Sequence, residues 1–266
     1  MKFSKSNKII TLTTDFGFED PFPGSMKGVI LTICPTAQIV DITHNISPQD
    51  IKQGNFVLKA CHHFFPKGTI HVCVIDPGVG SERRPILVKT KDYYFIGPDN
   101  GLFTFVNEDE KIISITELTE KKYWLKNVSH TFHGRDIFAP VAAHLAKGIN
   151  PASFGENLKK DHLTIFNIKK FTKDKNSSHG VVQFIDHFGN IVTNIPNKEI
   201  PPHITGKIKT YRFKGLVRNF AEAKQRTLTA IRGSSNFIEL FIYKGNAAKL
   251  VKAEIGDEVD VKYSKD

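Results

Sequence analysis

An aspartate and an arginine bracket the loop Asp76-Pro77-Gly78-Val79-Gly80-Ser81-Glu82-Arg83, which follows directly on the apolar run Thr69 to Ile75. A carboxylate and a guanidinium flanking one small cavity can orient a water or a polar substrate group. α/β proteins place such groups where strands end and glycines let the chain bend. The same pair also suits a structural ion pair, and spacing does not choose between the two. Gly78-x-Gly80 resembles the start of a dinucleotide fingerprint. Arg83 stands where the third glycine belongs, however, and Asp76 sets negative charge near any phosphate, so no dinucleotide cofactor is expected.

Four further segments carry candidate chemistry. Asp15 in Thr13-Thr14-Asp15-Phe16-Gly17 ends the first strand, where an acid can accept from vicinal ribose hydroxyls or simply cap a loop. His133 in Thr131-Phe132-His133-Gly134-Arg135-Asp136 precedes a helix and is suited to proton handling near neutral pH; it could equally fill space beside an Arg135–Asp136 pair. In Ile185-Asp186-His187-Phe188-Gly189-Asn190, Phe188 can stack on a base and the Asn190 amide can pair with an adenine edge, although a turn needs glycine and asparagine for backbone reasons alone. Gly233-Ser234-Ser235-Asn236 is a polar turn open to both readings. Cys61-His62-His63 and His71-x-Cys73 match no closed zinc spacing, so no metal is expected. There is no Gly-x-Ser-x-Gly elbow and no phosphate-cradling Gly-Lys-Ser/Thr loop.

The elements that must position these residues change character along the chain. Strands are expected at Lys8 to Thr14, Gln38 to Ile42, Ile70 to Ile75, Pro85 to Thr90 and Tyr93 to Ile96. Helices are expected at Ser25 to Ile33, from an N-cap at Ser47 with Pro48 at the first helical position to about Phe64, and at Ile137 to Lys147. This alternation predicts an α/β domain with a largely parallel sheet over residues 1–170, carrying Asp76, Arg83 and His133. Beyond a linker at Lys173 to Ser178, β-type runs at Gly180 to Ile185, Ile191 to Ile195, Lys207 to Phe213, Phe237 to Tyr243 and Glu258 to Tyr263 predict a small all-β, barrel-like domain over residues 176–266, with a short helix near Asn219 to Lys224.

The 266 residues, 40% hydrophobic, suffice for two cores, and no apolar run is long enough to span a membrane. The basic segment Met1 to Lys8 lacks the apolar region and cleavage site of a signal peptide. Three cysteines, Cys34, Cys61 and Cys73, are too few and too odd a set for a disulfide framework, so a reducing cytoplasm is expected. The net charge of +10 is densest around Lys159 to Lys175 and comes with no nucleic-acid-binding motif; a solvated boundary explains it, and no nucleic-acid partner is expected.

Thr14-Asp15-Phe16-Gly17, Asp41-Ile42-Thr43-His44, Asp76-Pro77-Gly78-Val79-Gly80, Gly97-Pro98-Asp99-Asn100-Gly101, Phe132-His133-Gly134-Arg135-Asp136, Asp186-His187-Phe188-Gly189-Asn190 and Gly245-Asn246-Ala247-Ala248 form an ordered set. In this order the chain resembles the S-adenosyl-L-methionine hydroxide adenosyltransferases, adenosine-forming hydrolases related to the fluorinase and chlorinase. The resemblance implies attack of water or hydroxide on the ribose 5′ carbon, releasing adenosine and L-methionine without a cofactor. It also implies a homotrimer with sites between subunits. The family's polar trio falls on Asp76, Arg83 and His133, and its ribose-binding acid on Asp15. Asp186 and Ser234 fall near the methionine end and Phe188 and Asn190 beside the adenine, with Phe132 and Glu239 completing the substrate-binding set. The halogenating relatives carry tyrosine and threonine where this chain has Asp76 and Val79, and the fluorinase a serine where it has Gly134, which favours water over halide. Gln49 replaces a tryptophan that packs on the ribose, and Phe22-Pro23 a serine-bearing stretch near the methionine. The alternatives are an adenosine- or S-adenosylmethionine-binding protein without turnover, and a halogenase.

Overall fold

A computed structural model describes residues 9–263. The basic segment 1–8, including the expected first strand residue Lys8, lies outside them. Two compact units divide between Phe166 and Asn167.

The first unit is built on a seven-stranded sheet of β1 (Ile9–Thr14), β2 (Gln38–Thr43), β3 (Ile70–Val74), β4 (Pro85–Thr90), β5 (Tyr94–Pro98), β6 (Ile112–Leu118) and β7 (Gly155–Leu158), ordered β2-β1-β3-β5-β4-β6-β7. The pairings β1–β2, β1–β3 and β3–β5 are parallel, while β4 and β7 run against their neighbours, so most strands share one direction. β3 shows why its sequence reads as a continuous apolar run. Ile70, Val72 and Val74 join the core under α1 (Phe22–Ile33) and α4 (Ala139–Ala146). Cys73 and the following Ile75 join the opposite core, with Leu58 of α2 (Ile51–Cys61) and Phe105 of α3 (Thr104–Asp109). Both faces of this strand are covered, as parallel sheets require. Because β1 connects through α1 to β2 on one side, and β2 through α2 to β3 on the other, the carboxyl ends of β1 and β3 flank a topological switch point, where open α/β sheets bind ligands.

The second helix departs from expectation. Its N-cap is Asp50, whose carboxylate accepts from the Gln53 N–H at 2.9 Å, not Ser47. Ser47 instead opens a turn closed by Asp50 N–H to the Ser47 carbonyl, with Gln49 at φ +68°. That conformation is secured by a long-range contact, the Gln49 N–H donating to Asp15 Oδ2 at 2.8 Å, which local capping rules cannot foresee. The helix ends at Cys61 and a 3₁₀ turn, His62–Phe64, completes the expected span.

The second unit is a closed seven-stranded barrel in the order β10-β14-β13-β12-β11-β15-β9, with β10 pairing back to β9 and the short β8 (Thr172–Lys173) added outside β9. Its strands are β9 (Ser177–Ile185), β10 (Ile191–Pro196), β11 (Ile204–Ile208), β12 (Tyr211–Val217), β13 (Leu228–Arg232), β14 (Phe237–Ile242) and β15 (Glu258–Tyr263). Alternate residues such as Ile204 and Ile208, Leu228 and Ala230, Ile238, Leu240 and Ile242, and Val259 and Val261 fill its interior. Two expectations are corrected. Residues 173–178, expected as a linker, form a hairpin in which Thr172 and Lys173 pair with His179 and Ser178. The single run Lys207 to Phe213 is two strands, turned at Lys209 with φ +51° and carrying no glycine, proline or asparagine to announce it. Among the described residues no helix is long and apolar enough to cross a membrane.

Candidate active site

β3 delivers Asp76 to the switch point. The preceding carbonyl, that of Ile75, accepts from Asn100 Nδ2 at 2.9 Å, and Asn100 Oδ1 accepts from the Leu102 N–H, pinning the strand end. Two successive turns then reverse the chain, with Val79 N–H on the Asp76 carbonyl and Ser81 N–H on that of Gly78. Gly80 has φ +78°, and a Cβ there would lie 2.3 Å from the His130 carbonyl oxygen. Only glycine permits that approach, which sets the loop carrying Arg83 against the loop carrying His133.

Asp76 and Arg83 do form an ion pair, and it is shared. Arg83 Nε donates to Asp76 Oδ1 at 2.9 Å and Oδ2 at 3.0 Å, and Nη2 to Oδ2 at 2.5 Å. The same Nη2 lies 2.7 Å from His133 Nδ1. The Asp76 and Arg83 side chains are 5% and 8% exposed, and the guanidinium sits over the Phe138 ring. Since arginine can only donate, His133 Nδ1 must accept, which leaves the neutral imidazole's proton on Nε2. Burial, with the Arg83 charge second, holds the His133 pKa below its ordinary value, partly countered by Asp76 and Asp136.

His133 immediately precedes a π-turn, Gly134–Phe138, that leads into α4. π-turns within helices occur often at functional sites. Its loop is anchored by Asp136, whose side chain is fully buried and accepts from the Ser129 N–H and hydroxyl, both at 2.8 Å, and from Arg135 Nε at 2.6 Å. These donors hold the Asp136 carboxyl below the usual carboxylate range, overcoming the effect of its burial. Phe132 packs edge-on against Phe16 and Phe22, at 5.6 and 5.1 Å between centroids. Asp15 leaves β1 beside Asp76's strand, in register Thr14 to Val74. Its Oδ2 is taken by Gln49, and Oδ1 has no hydrogen-bond partner among the described residues.

The remaining candidates belong to the barrel unit. Asp186 organises its turn: Oδ1 accepts from the N–H groups of Phe188 and Asn190, and Oδ2 from Asn190 Nδ2 at 2.8 Å. The Asn190 amide, expected to pair with an adenine edge, thus has one of its two N–H donors engaged by Asp186, leaving the other and Oδ1. Phe188 projects with 72% exposure. Gly189 has φ +82° and packs directly on the Asn246 side chain, which caps α5 (Ala247–Val251). Ser234 is exposed in the β13–β14 turn. Glu239 on β14 is buried against Gly233, with the Ser235 hydroxyl at 3.5 Å; burial and then the Asp186 charge raise its pKa.

Among the described residues no three His, Cys, Asp or Glu side chains are grouped to hold a metal. His62 lies between the Leu58 carbonyl and Glu110, His71 stacks on Phe95, and Cys73 is buried. Of the residues that brace the site, His44 and Asn100 had no role in the sequence reasoning and Asp136 only its pairing with Arg135, which the structure contains; their remaining bracing contacts are identifiable only in three dimensions.

Comparison with known proteins agrees along the chain. The family model of the SAM hydroxide adenosyltransferase N-terminal domain matches residues 10–155, and that of the C-terminal domain residues 180–260. The chain is 39% identical over 271 residues to an (R)-S-adenosyl-L-methionine hydrolase of Methanocaldococcus jannaschii, covering 96% of each. It is 30% identical over 227 residues to a fluorinase of Actinoplanes sp., covering 74% of each. A crystal structure of an uncharacterised conserved protein from Thermotoga maritima superposes with a TM-score of 0.90 at 33% identity, over 95% of this chain and 99% of that one. This chain belongs to the SAM hydroxide adenosyltransferase family.

Proposed function

We propose that the protein hydrolyses S-adenosyl-L-methionine to adenosine and L-methionine by in-line attack of water on the ribose 5′ carbon. The observation that carries this reading is the Asp76–Arg83–His133 constellation at the β1/β3 switch point: a buried carboxylate, a guanidinium and a neutral histidine joined by hydrogen bonds. A sulfonium leaves as a neutral thioether, so the leaving group needs no acid. Water is the weak partner and has to be aimed. His133 Nε2–H donates to the water oxygen, and Asp76 accepts one of its protons. Attack breaks the C5′–S bond and forms C5′–O; the resulting protonated alcohol is strongly acidic, so a carboxylate suffices as its acceptor. Arg83 holds both partners and offsets the charge of Asp76. A carboxylate at this position also disfavours a halide nucleophile by like charge.

In this reading Asp15 Oδ1 accepts from the ribose hydroxyls, and Phe132 borders the reacting carbon. Phe188 and Asn190 meet the adenine, and Asp186, Ser234 and Glu239 the methionine end. The enzyme acts without a cofactor, as a cytoplasmic homotrimer. The cytoplasm suits three cysteines that form no disulfide, and sedimentation should give the mass of three 29.9 kDa chains. Purified protein incubated with S-adenosylmethionine, with and without chloride or fluoride, should release adenosine and methionine in every case. A halogenated nucleoside would assign a halogenase, and binding without product a sensor.

The hydrogen bond from Arg83 to His133 predicts a pH dependence. With its pKa held below the ordinary 6.5, His133 stays neutral at neutral pH. As pH falls through the lowered value, Nδ1 gains a proton, opposes the Arg83 donor and is driven away. Turnover should therefore show an acid limb with its midpoint below 6.5. His133→Asn, whose amide oxygen accepts from Arg83 at every pH, should lose that limb while turning over more slowly; a pH–kcat profile checks both.

A further inference from the structure

The geometry points to His44 as a positioning residue for the Asp15 turn, and through it for the choice of ribose over 2′-deoxyribose; this rests on the ribose-binding role proposed for Asp15. The His44 side chain is fully buried and touches no reacting atom in the proposed mechanism. It is instead the hub of the contact between two segments. Its Nδ1 lies 2.8 Å from Thr14 Oγ1, which accepts from the Phe16 N–H at 3.2 Å. Its carbonyl accepts from the Gly17 N–H at 2.8 Å, and the Ile46 N–H donates to the Thr14 carbonyl. Asp15 is thus held on both sides by groups tied to His44, and its own Oδ2 is fixed by Gln49.

The proton arrangement is consistent with this role. Nε2 faces the Asp41 carboxylate, which can only accept, so the neutral imidazole's proton sits on Nε2 and Nδ1 accepts from the Thr14 hydroxyl, whose oxygen also accepts from the Phe16 N–H. Nε2 lies 3.1 Å from Asp41 Oδ1, a close electrostatic contact off the axis of a hydrogen bond. Asp41 Oδ2 accepts from Lys27 Nζ of α1 at 2.5 Å. The Phe18 ring closes the remaining side edge-on at 5.1 Å. A chain of polar contacts therefore runs from α1 through Asp41, His44 and Thr14 to the turn that aims Asp15. A carboxylate accepting from two adjacent hydroxyls is sensitive to small displacements, whereas contacts to the base are not made there.

Calorimetric titration with adenosine and 2′-deoxyadenosine tests the inference, alongside kcat and KM for S-adenosylmethionine. The native protein should prefer adenosine by about tenfold or more, the range of one hydrogen bond to a charged group. His44→Phe, which keeps the ring but loses the polar contacts, should reduce that preference to about twofold or less, raise KM and leave kcat within about threefold. His44→Asn, whose Oδ1 can replace Nδ1 as the acceptor for Thr14, should recover most of the preference. Thr14→Val should behave like His44→Phe and carries the test should the latter not fold. An unchanged preference in both variants would overturn the inference, as would equal weakening of both nucleosides or a native protein that does not discriminate. A native protein that discriminates but releases no adenosine from S-adenosylmethionine would instead overturn the proposed hydrolysis and leave the role of His44 standing.

Discussion

Arg83→Ala is expected to lower kcat by about 10²–10³-fold, the scale of losing one preorganised donor that acts in the transition state, with KM within about threefold. Arg83 is the only member of the trio that touches both others, donating to Asp76 through Nε and Nη2 and to His133 through Nη2. Without it, the two groups proposed to aim the water lose their common support and Asp76 is left as an unpaired carboxylate with 5% exposure. That residual charge should cost about 3–5 kcal/mol of stability, so melting has to be followed beside the kinetics. Arg83→Lys keeps the charge but replaces a planar fork by a single ammonium, which cannot reproduce this set of directed contacts; it should recover stability better than turnover. Steady-state kinetics on both variants decide the point. A kcat within a few-fold of native in Arg83→Ala would assign the pair a structural role only.

Asp136→Ala should cost about 3 kcal/mol of stability, from removing a buried carboxylate that satisfies several donors. Its fully buried side chain holds the Ser129 N–H and hydroxyl and the Arg135 fork. Arg135 is 36% exposed and can turn to water, so most of the cost falls on the Ser129 end. Ser129 in turn accepts from the Phe132 N–H, one residue before His133, so the damage should reach the site and lower kcat as well. Asp136→Asn keeps one acceptor and should fall between alanine and native in both measurements. The folded-state pKa of Asp136 is depressed, so its stabilisation is present above the unfolded carboxylate value and is lost as pH falls through the lowered one. Thermal melts at neutral and acid pH should show the native and Asp136→Ala proteins converging as the pH drops.

Much of this site was legible in the sequence because it is carried by short segments at strand ends. Asp76 follows a continuous apolar run and Asp15 a run rich in β-branched residues, both of which read as buried strands, and glycines beside them mark where the chain turns. The barrel strands were visible wherever alternate residues were apolar, as in Glu258–Tyr263. What escaped was set by contacts distant in sequence. The start of the second helix lies at Asp50 and not at Ser47 because Asp15 captures the Gln49 N–H and holds Gln49 at φ +68°. The β11–β12 turn has no signature in the sequence because Lys209 adopts φ +51° without any of the usual turn residues. Gly80 was visible as a turn glycine, but not its reason, the His130 carbonyl packed where a Cβ would stand. The bracing roles of His44, Asn100 and Asp136 likewise depend on partners in other segments, or on a loop whose course the sequence does not specify.

The origin of the oxygen in the product tests the central claim most directly. With S-adenosylmethionine as substrate in water enriched in ¹⁸O, the adenosine released should carry one ¹⁸O atom, located at the 5′ hydroxyl, and the methionine none. Label in the methionine, unlabelled adenosine, or a 5′-halogenated nucleoside in its place would contradict attack on the 5′ carbon by a water held among Asp76, Arg83 and His133.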